Sequence, residues 1–224
     1  AELARRFEEL PTVHKQDLID CAARRGPFGD RLAVAREELA HVFVAPGPIY
    51  APYTRADLEG VARTFAWAFR LCGLRTSDIV DQTTMYNWVI AASVLDAALR
   101  ELGCAIVPGG AGQTDRHVET LSALRVDAMV AFPTFLEHVL QRAAELGVPL
   151  ALRSAAIMGE FQDPETKRRL FEEYGVRARE FYATGEVGVV AAECEASQGM
   201  HLYPDVFVEF LDPVTGDAVA PASG

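Results

Sequence analysis

Two residues with metal-binding side chains stand close together near the C-terminal end of the sequence. Cys194 and His201 form a Cys-x6-His pair, and the carboxylates of Glu193, Glu195 and Asp205 are near them. A thiolate combined with an imidazole suits Zn²⁺. Two ligands do not complete a tetrahedral site, so three interpretations stay open. They are a zinc site, a buried thiol beside a surface imidazole, and a nucleophilic Cys194 with a depressed pKa.

The charge balance limits the partners of the chain. Its 224 residues include 21 basic and 32 acidic residues, which gives a net charge of −11. This excess disfavours binding to nucleic acid or to an anionic lipid surface, and an anionic ligand would need a local device to hold it. We find neither an apolar run of membrane-spanning length nor a secretory signal, so we expect a cytoplasmic protein without a membrane partner.

The remaining cysteines and histidines show no metal-binding spacing. The cysteines are scattered and typical of reduced thiols, with Cys72 and Cys104 expected in the core. We expect four histidines on the surface or on helix faces: His14, His41, His117 and His138.

The elements that must position any site alternate between strands and helices. Thr54 is a predicted helix cap, with Asp57 at the third helical position and an end at Gly73. Further helices are predicted over 88–102, 114–124, 133–146 and 164–174. Strands are predicted over 78–84, 104–107, 128–132, 152–158 and 177–182.

This alternation predicts an α/β fold, with doubly wound, mostly parallel sheets that carry helices on both faces. The pattern changes after Ala183, where a strand over 206–211 and a turn over 212–216 are predicted without a following helix. We therefore divide the chain into an N-terminal helical segment (1–52), an α/β core (53–186) and the start of an incomplete β-rich subdomain (187–224).

Ligands of open parallel sheets bind beyond the carboxyl ends of the strands. The segments that follow the predicted strands are therefore the candidate site. They are Tyr86-Asn87, Gly109-Gly110, Pro133 to Phe135, Gly159 to Phe161, and Tyr182 to Glu186.

These segments and others form an ordered series of short motifs. In chain order they are Leu10-Pro11 with Lys15, Tyr53-Thr54, Gly109-Gly110, Gly159-Glu160, Tyr182-Ala183-Thr184-Gly185-Glu186, and Glu193-Cys194-Glu195 with His201. Each motif alone is weak, but in this order the series resembles the N-terminal domain of phenylacetate–coenzyme A ligase-like enzymes, members of the acyl-adenylating (AMP-binding) superfamily. The resemblance covers nearly the whole chain.

The resemblance implies roles for these residues. Enzymes of this family join a carboxylate to AMP and then exchange AMP for coenzyme A, so ATP or AMP, Mg²⁺ and coenzyme A are the implied cofactors. Glu186 is the implied Mg²⁺ ligand, and the Thr184 hydroxyl is placed near phosphate. Without the resemblance, Glu186 would be interpreted as a solvated loop carboxylate. Other implied nucleotide-binding residues are Gly109, Gly110, Glu160, Tyr182 and Gly185. Relatives with a similar cysteine and histidine bind zinc through additional cysteines that are absent here.

The implied substrate is an aromatic or similar small carboxylic acid, or its coenzyme A thioester. The acyl pocket is implied at the ends of two strands. Its residues are Tyr86, Asn87, Pro133 and Phe135.

The chain departs from the family at the phosphate-binding loop. Where the family has a loop rich in serine, threonine and glycine and followed by lysine, residues 44–52 read Val-Ala-Pro-Gly-Pro-Ile-Tyr-Ala-Pro. Phosphate loops work through backbone N–H groups and hydroxyls, and proline has no N–H. We predict that this loop does not grip ATP in the usual way.

Two functional hypotheses follow. One is an enzyme that handles an acid or its coenzyme A thioester. The other is a non-adenylating relative, either with different chemistry or as a non-catalytic binding subunit. The family's C-terminal domain has no counterpart in the sequence; a longer protein, a second chain or a chemistry that does not need it would each account for this. The resemblance to the family also implies a homodimer.

Overall fold

The computed structural model describes residues 10–47 and 49–219. Its helices are α1 (Lys15–Arg25), α2 (Arg55–Leu71), α3 (Ala91–Leu102), α4 (Thr114–Ala123), α5 (Pro133–Glu145) and α6 (Pro164–Tyr174), with a 3₁₀ turn over Arg36–Glu38. Its strands are β1 (Leu39–Ala45), β2 (Ile49–Thr54), β3 (Ile79–Gln82), β4 (Ala105–Val107), β5 (Ala128–Ala131), β6 (Ser154–Ile157), β7 (Arg177–Thr184), β8 (Gly188–Glu193) and β9 (Met200–Leu202).

A seven-stranded sheet in the order β4-β3-β5-β6-β7-β8-β9 organises the chain. The neighbours from β4 to β7 pair in parallel, and β8 and β9 continue the sheet in antiparallel pairing. Each parallel neighbour is reached through a crossover helix, as the alternating sequence pattern predicts. The predicted α/β class with a mostly parallel sheet is confirmed, and most element ends agree within three residues.

Both faces of the sheet are covered. In β5, Val130 packs in one core cluster together with α2 and α3, whereas Met129 packs in the other cluster together with α4, α5 and α6. Because successive strand residues point to opposite faces, a wholly apolar strand needs helices on both sides. Cys72 is fully buried in the first cluster, while Cys104 is half buried at its edge. Among the residues described, no helix combines the length and apolarity needed to span a bilayer.

Helix α2 begins with the predicted cap. Thr54 Oγ1 accepts a hydrogen bond from the Asp57 N–H (3.1 Å), and the Asp57 carboxylate accepts one from the Thr54 N–H (2.8 Å). This reciprocal pair satisfies two donors at the helix start. The residues Phe65 and Phe69 on its buried face contact Phe181 of β7 edge-on, which locks α2 against the sheet.

The proline-rich segment forms an antiparallel hairpin that sequence patterns did not predict. Strands β1 and β2 pair from Leu39 with Thr54 to Ala45 with Ile49, so Pro46 and Gly47 lie at the tip. Prolines and a lack of strict alternation hid these strands in the sequence. The hairpin is attached to the connection between β3 and α3 by a hydrogen bond from Val44 N–H to the Trp88 carbonyl (2.8 Å).

The predicted strand over 206–211 is wrong. Within the described part of the chain this segment makes a single isolated bridge, between Leu211 and Ala218. The predicted turn after it is present, since Asp212 Oδ1 accepts hydrogen bonds from the N–H groups of Val214 and Thr215. β-Branched and aromatic residues favour a strand only where a neighbouring strand provides hydrogen-bond partners and cover.

A buried ion cluster joins α6 to the neighbouring strands β7 and β8. The Lys167 ammonium donates to Glu180 Oε2 (2.6 Å) and to Glu193 Oε1 (2.8 Å), and both carboxylates are less than a tenth exposed. Glu180 Oε1 also accepts from the Gln162 N–H (2.8 Å). The cluster therefore fixes the loop that follows β6, which carries the candidate residue Glu160.

Replacing Lys167 should strongly destabilise the protein. In Lys167→Met two buried carboxylates lose their cation, and we expect the free energy of unfolding to fall by about 3 kcal/mol. Urea denaturation of the purified chain measures this. Arg168→Gln on the exposed side of the same helix is the control and should change stability by no more than about 0.5 kcal/mol. Equal losses in the two variants would contradict the cluster's role.

Candidate functional site

A cavity of about 930 Å³ lies between the hairpin, α2, α3 and the turn that connects β7 to β8. Its inner wall is largely apolar, and polar and charged groups line its remaining surface. The apolar wall includes Phe43, Ile49, Val61, Phe65, Val89, Ile90, Val94, Leu95 and Met158. The polar and charged groups include Lys15, Arg31, Tyr53, Asp57, Thr64, Thr184 and Glu186. The arrangement suits a ligand with an apolar body and a charged end.

The turn from β7 to β8 brings three of the predicted site residues into this cavity: Thr184, Gly185 and Glu186. Strand pairing stops at Thr184 and resumes at Gly188, which leaves a three-residue turn with Glu186 at its centre. Thr184 Oγ1 accepts a hydrogen bond from the Val187 N–H (3.2 Å) and stabilises the turn. The Glu186 carboxylate is exposed and has no hydrogen bond to a described residue, so it is available to a ligand.

Tyr53 joins the hairpin to this turn. Its hydroxyl donates a hydrogen bond to the Gly185 carbonyl (2.9 Å), across 132 residues of sequence. Burial, with the nearby charges of Glu186 and Asp57, raises the pKa of Tyr53, so the phenol stays protonated and remains a donor. On the other side of the turn, Gly188 has a φ of +85°, and a Cβ there would lie 3.3 Å from Thr64 Oγ1 of α2. Both the backbone conformation and the close approach to α2 therefore favour glycine at this position.

The hairpin tip lies beside the cavity and offers few donors. Pro46 lines the cavity and has no N–H, and Gly47 has one. The flanking residues Ala45 and Ile49 face each other as a register pair in the hairpin. The structure thus gives the proline-rich segment a β-hairpin geometry that is poor in phosphate-binding N–H groups.

The apolar wall includes residues that sequence reasoning missed. We predicted a helix from residue 88, but α3 begins at Ala91, and Val89 and Ile90 line the cavity from the connection between β3 and α3. The sequence contains a signal for them, an apolar run that starts at Trp88, a few residues after the predicted strand end. The helical periodicity of the following residues concealed it.

The predicted acyl-pocket residues lie outside this cavity. Tyr86 and Asn87 line a second, outer cavity of about 430 Å³ with His41, Trp88 and Ser93, and Phe43 lines both cavities. The Tyr86 hydroxyl donates to Asp96 Oδ1 (3.0 Å).

Pro133 and Phe135 lie on α5. Pro133 is buried at the first position of the helix, and the Phe135 ring packs edge-on against the imidazole of His117 (5.1 Å between ring centres). Neither residue lines either cavity.

Two predicted nucleotide-binding residues lie at neighbouring strand ends. Glu160 follows β6, and its carboxylate accepts hydrogen bonds from the Thr134 hydroxyl (3.2 Å) and N–H (3.3 Å) at the start of α5. Tyr182 lies on β7 with a side chain that is 56 % exposed. Neither lines the main cavity, and both lie on the carboxyl-end side of the sheet.

Gly109 and Gly110 contact a buried pair that the sequence did not reveal. Of the two positions expected for His117, the surface is wrong and the helix face is right: the residue lies on the buried face of α4. It is 4 % exposed, Nδ1 lies 2.6 Å from Asp81 Oδ2, and Nε2 lies 3.1 Å from the Gly110 carbonyl. Both partners are acceptors, so only the protonated ring can donate to both. The hydrogen bond to Asp81 raises the pKa of His117. A Cβ on Gly109 would lie 2.7 Å from Asp81 Oδ1, so only glycine fits there.

The zinc prediction gains no support from the geometry. Cys194 is half buried after β8, and His201 is exposed on β9. Over residues 10–47 and 49–219, no group of three or more His, Cys, Asp or Glu side chains is arranged to hold a metal ion.

Comparison with known proteins gives curated relatives for almost the entire chain. No family model matches it. The phenylacetate–coenzyme A ligase of Thermus thermophilus is 29% identical over 227 residues, covering 95% of this chain and 50% of that enzyme. The phenylacetate–coenzyme A ligase of Pseudomonas putida is 27% identical over 222 residues, covering 94% and 49%. The chain therefore spans about half the length of the curated relatives it matches.

Solved structures agree with the fold. A crystal structure of 2-hydroxyisobutyryl-CoA ligase in the postadenylation state superposes with a TM-score of 0.87 at 26% identity, over 94% of this chain and 47% of that one. Anthranilate CoA ligase superposes with a TM-score of 0.68 at 16% identity, over 84% and 38%. The expected adenylating-enzyme N-terminal domain fold is confirmed.

Loss of the Tyr53 hydroxyl should loosen the turn. In Tyr53→Phe we expect the free energy of unfolding to fall by about 1 kcal/mol and the Val187 amide to exchange hydrogen faster, because the Gly185 carbonyl loses its donor. Hydrogen exchange with mass spectrometry measures the second effect. Tyr50→Phe, at an exposed position of the same strand, is the control. Unchanged exchange in Tyr53→Phe would show that the bond does not hold the turn.

The His117–Asp81 pair should make stability depend on pH. Because the folded pKa of His117 is raised, its contribution is full below the unfolded pKa of about 6.5 and is lost as pH rises through the folded pKa. We expect His117→Gln to abolish this decline in denaturation experiments that start near the unfolded pKa of about 6.5 and proceed to higher pH. His138→Gln, an exposed position on α5, should retain it. A decline that persists in His117→Gln would assign the effect to another group.

Proposed function

Because the chain is a phenylacetate–coenzyme A ligase-like member of the AMP-binding superfamily, we propose that it forms the acid-binding part of a coenzyme A ligase-type enzyme. The substrate is a small, largely apolar carboxylic acid or its coenzyme A thioester. The apolar wall of the main cavity takes the body of the acid, and the carboxylate points to the turn that holds Thr184 and Glu186.

One observation carries this proposal: a single cavity joins an apolar chamber to that turn. Apolar side chains gain affinity by removing the body of the acid from water, and they give no specific bond to a charged end. The turn provides the Thr184 hydroxyl, which can donate to the carboxylate of the acid, and the Glu186 carboxylate, which can act on it only through a cation between the two. Binding and orientation of the acid are thus separated between the two parts of the site.

Mg²⁺ fits the turn. It is a hard cation that takes one or two protein carboxylates and keeps several waters, and the exposed Glu186 carboxylate matches this requirement. When bound there, Mg²⁺ would neutralise phosphate charge. Glu186 would hold the ion, and Tyr53 would keep the turn in position through the Gly185 carbonyl.

A second candidate function is favoured by the hairpin tip. A relative that does not adenylate would bind the acid or its thioester in the same cavity without ATP. Its support is the pair of strands that ends in Pro46 and Gly47, where the family's resemblance implies a phosphate-gripping loop. Ligand binding separates the two candidates.

Substituting Glu186 should remove metal-dependent binding. Two assays test this. The first measures thermal shifts with ATP·Mg²⁺, with aromatic and branched aliphatic acids and with their coenzyme A thioesters, and the second measures acid-dependent pyrophosphate exchange. Glu186→Gln should lose any Mg²⁺-dependent stabilisation and lower exchange by roughly 100-fold, because an electrostatic contact to the reacting phosphate is worth about that much. Glu59→Gln on the exposed side of α2 is the control.

The results distinguish the candidates directly. Exchange with any acid establishes adenylation and excludes the second function. Stabilisation by a thioester, with none by ATP, establishes the second function. If neither acids nor thioesters bind, the acid-binding proposal is wrong.

Zinc at Cys194 and His201 stays a separate prediction, and metal analysis of the purified protein tests it. The division of the chain at residues 52/53 and 186/187 and the expected homodimer likewise stay predictions.

A further inference from the structure

Two cations line the main cavity, and neither comes from the proline-rich segment that stands in place of the family's phosphate loop. Lys15 is the first residue of α1, and Arg31 lies in the connection between α1 and the 3₁₀ turn. Both are exposed, so their charged groups meet solvent at the cavity. The chain has a net charge of −11, so an anionic ligand needs local positive charge. Two cations at one cavity provide it.

Arg31 is held in a defined position against the hairpin. Its Nε donates to the Phe28 carbonyl (3.0 Å), and its Nη2 donates to the Tyr50 carbonyl of β2 (3.3 Å). These bonds orient the guanidinium plane. Nη1 makes no hydrogen bond to a described residue and keeps two N–H groups for a ligand.

Lys15 lies on the side of α1 that faces the hairpin tip. Leu18 lines the cavity with it, and Ile19, one helical turn after Lys15, lies close to the tip: a Cβ on Gly47 would be 3.5 Å from Ile19 Cδ1. Residues four apart share a helix face. Lys15 is exposed, and among the described residues it is in no ion pair.

Among the described residues, no ion pair joins Lys15 or Arg31 to an acidic group of the cavity. The Asp57 carboxylate is oriented towards the start of α2, where it accepts hydrogen bonds from the Thr54 N–H (2.8 Å) and hydroxyl (2.7 Å). Glu186 lies on the turn from β7 to β8, where the proposed Mg²⁺ would offset its charge. Phosphate oxygens match both cations, with Arg31 as an oriented donor and Lys15 as a point charge.

We propose that Lys15 and Arg31 form the phosphate-binding pair of this cavity and supply the cationic contacts that the proline-rich tip lacks. The inference rests on the proposed function, since it assumes that the cavity is the ligand site. The ligand class is a phosphate ester or anhydride carried by a nucleotide. The triphosphate of ATP and the phosphates of coenzyme A are its two sources.

Calorimetric titration of the full chain with ATP·Mg²⁺, with free coenzyme A and with an acid that stabilises the wild type tests the pair. Lys15→Gln and Arg31→Gln should each weaken the phosphate ligand about tenfold and leave acid affinity unchanged, because one charge-assisted contact is lost. Lys15→Arg should restore most of the affinity, and affinity for the phosphate ligand should fall with added salt less steeply in the Gln variants. The control is Arg24→Gln, an exposed cation of α1 that does not line the cavity.

Arg31→Lys is a second variant that separates loss of binding from loss of folding. It keeps the positive charge and loses the oriented N–H groups of the guanidinium. It should bind phosphate ligands better than Arg31→Gln at equal melting temperature. Wild-type affinity for both phosphate ligands in Lys15→Gln and Arg31→Gln overturns the inference and leaves the proposed function intact. A wild type that binds the acid and neither phosphate ligand also overturns it. A wild type that binds no ligand overturns both proposals.

Discussion

The attachment of the β1–β2 hairpin to the sheet determines whether this chain has a site. The hairpin covers one side of the main cavity, and its bond from Tyr53 to Gly185 reaches the segment with the candidate metal ligand. At the other strand, Val44 bonds to the connection before α3. Three segments far apart in sequence are thereby held around one volume. The two hydrogen bonds that hold the segments together, from the Val44 N–H and from the Tyr53 hydroxyl, both join uncharged groups.

The sheet performs the complementary task of bringing the strand ends to one edge. Parallel pairing from β4 to β7 gives neighbouring strands the same direction, so their following loops all lie on one side. Several of these loops are fastened by buried polar groups: Lys167 with Glu180 and Glu193, and Asp81 with His117. Burying such groups is favourable only when each has a partner, which makes the loops rigid as well as connected.

The sequence was sufficient to predict the α/β architecture because several alternating strand and helix patterns each indicate the same fold class. The helix start at Thr54 and the apolar strand β5 were both predicted from local chemistry. The hairpin escaped because prolines mask strands, and the pair of Asp81 and His117 escaped because its members are 36 residues apart. Of the candidate site, the turn with Thr184 and Glu186 was predicted from an ordered motif. Lys15 belonged to another of these motifs, but its place at the cavity depends on packing between elements, as do the places of Arg31 and the apolar wall, and no local pattern encodes that packing.

Phe43 has a consequence for the space available to a ligand. The residue is 7 % exposed and lines both the main cavity and the outer cavity that Tyr86 and Trp88 also line. A change of side chain at this one position therefore alters the walls of two volumes at once. Variation at residue 43 acts on the room for an acyl chain, while the pairing of β1 with β2 depends on backbone hydrogen bonds and stays as it is.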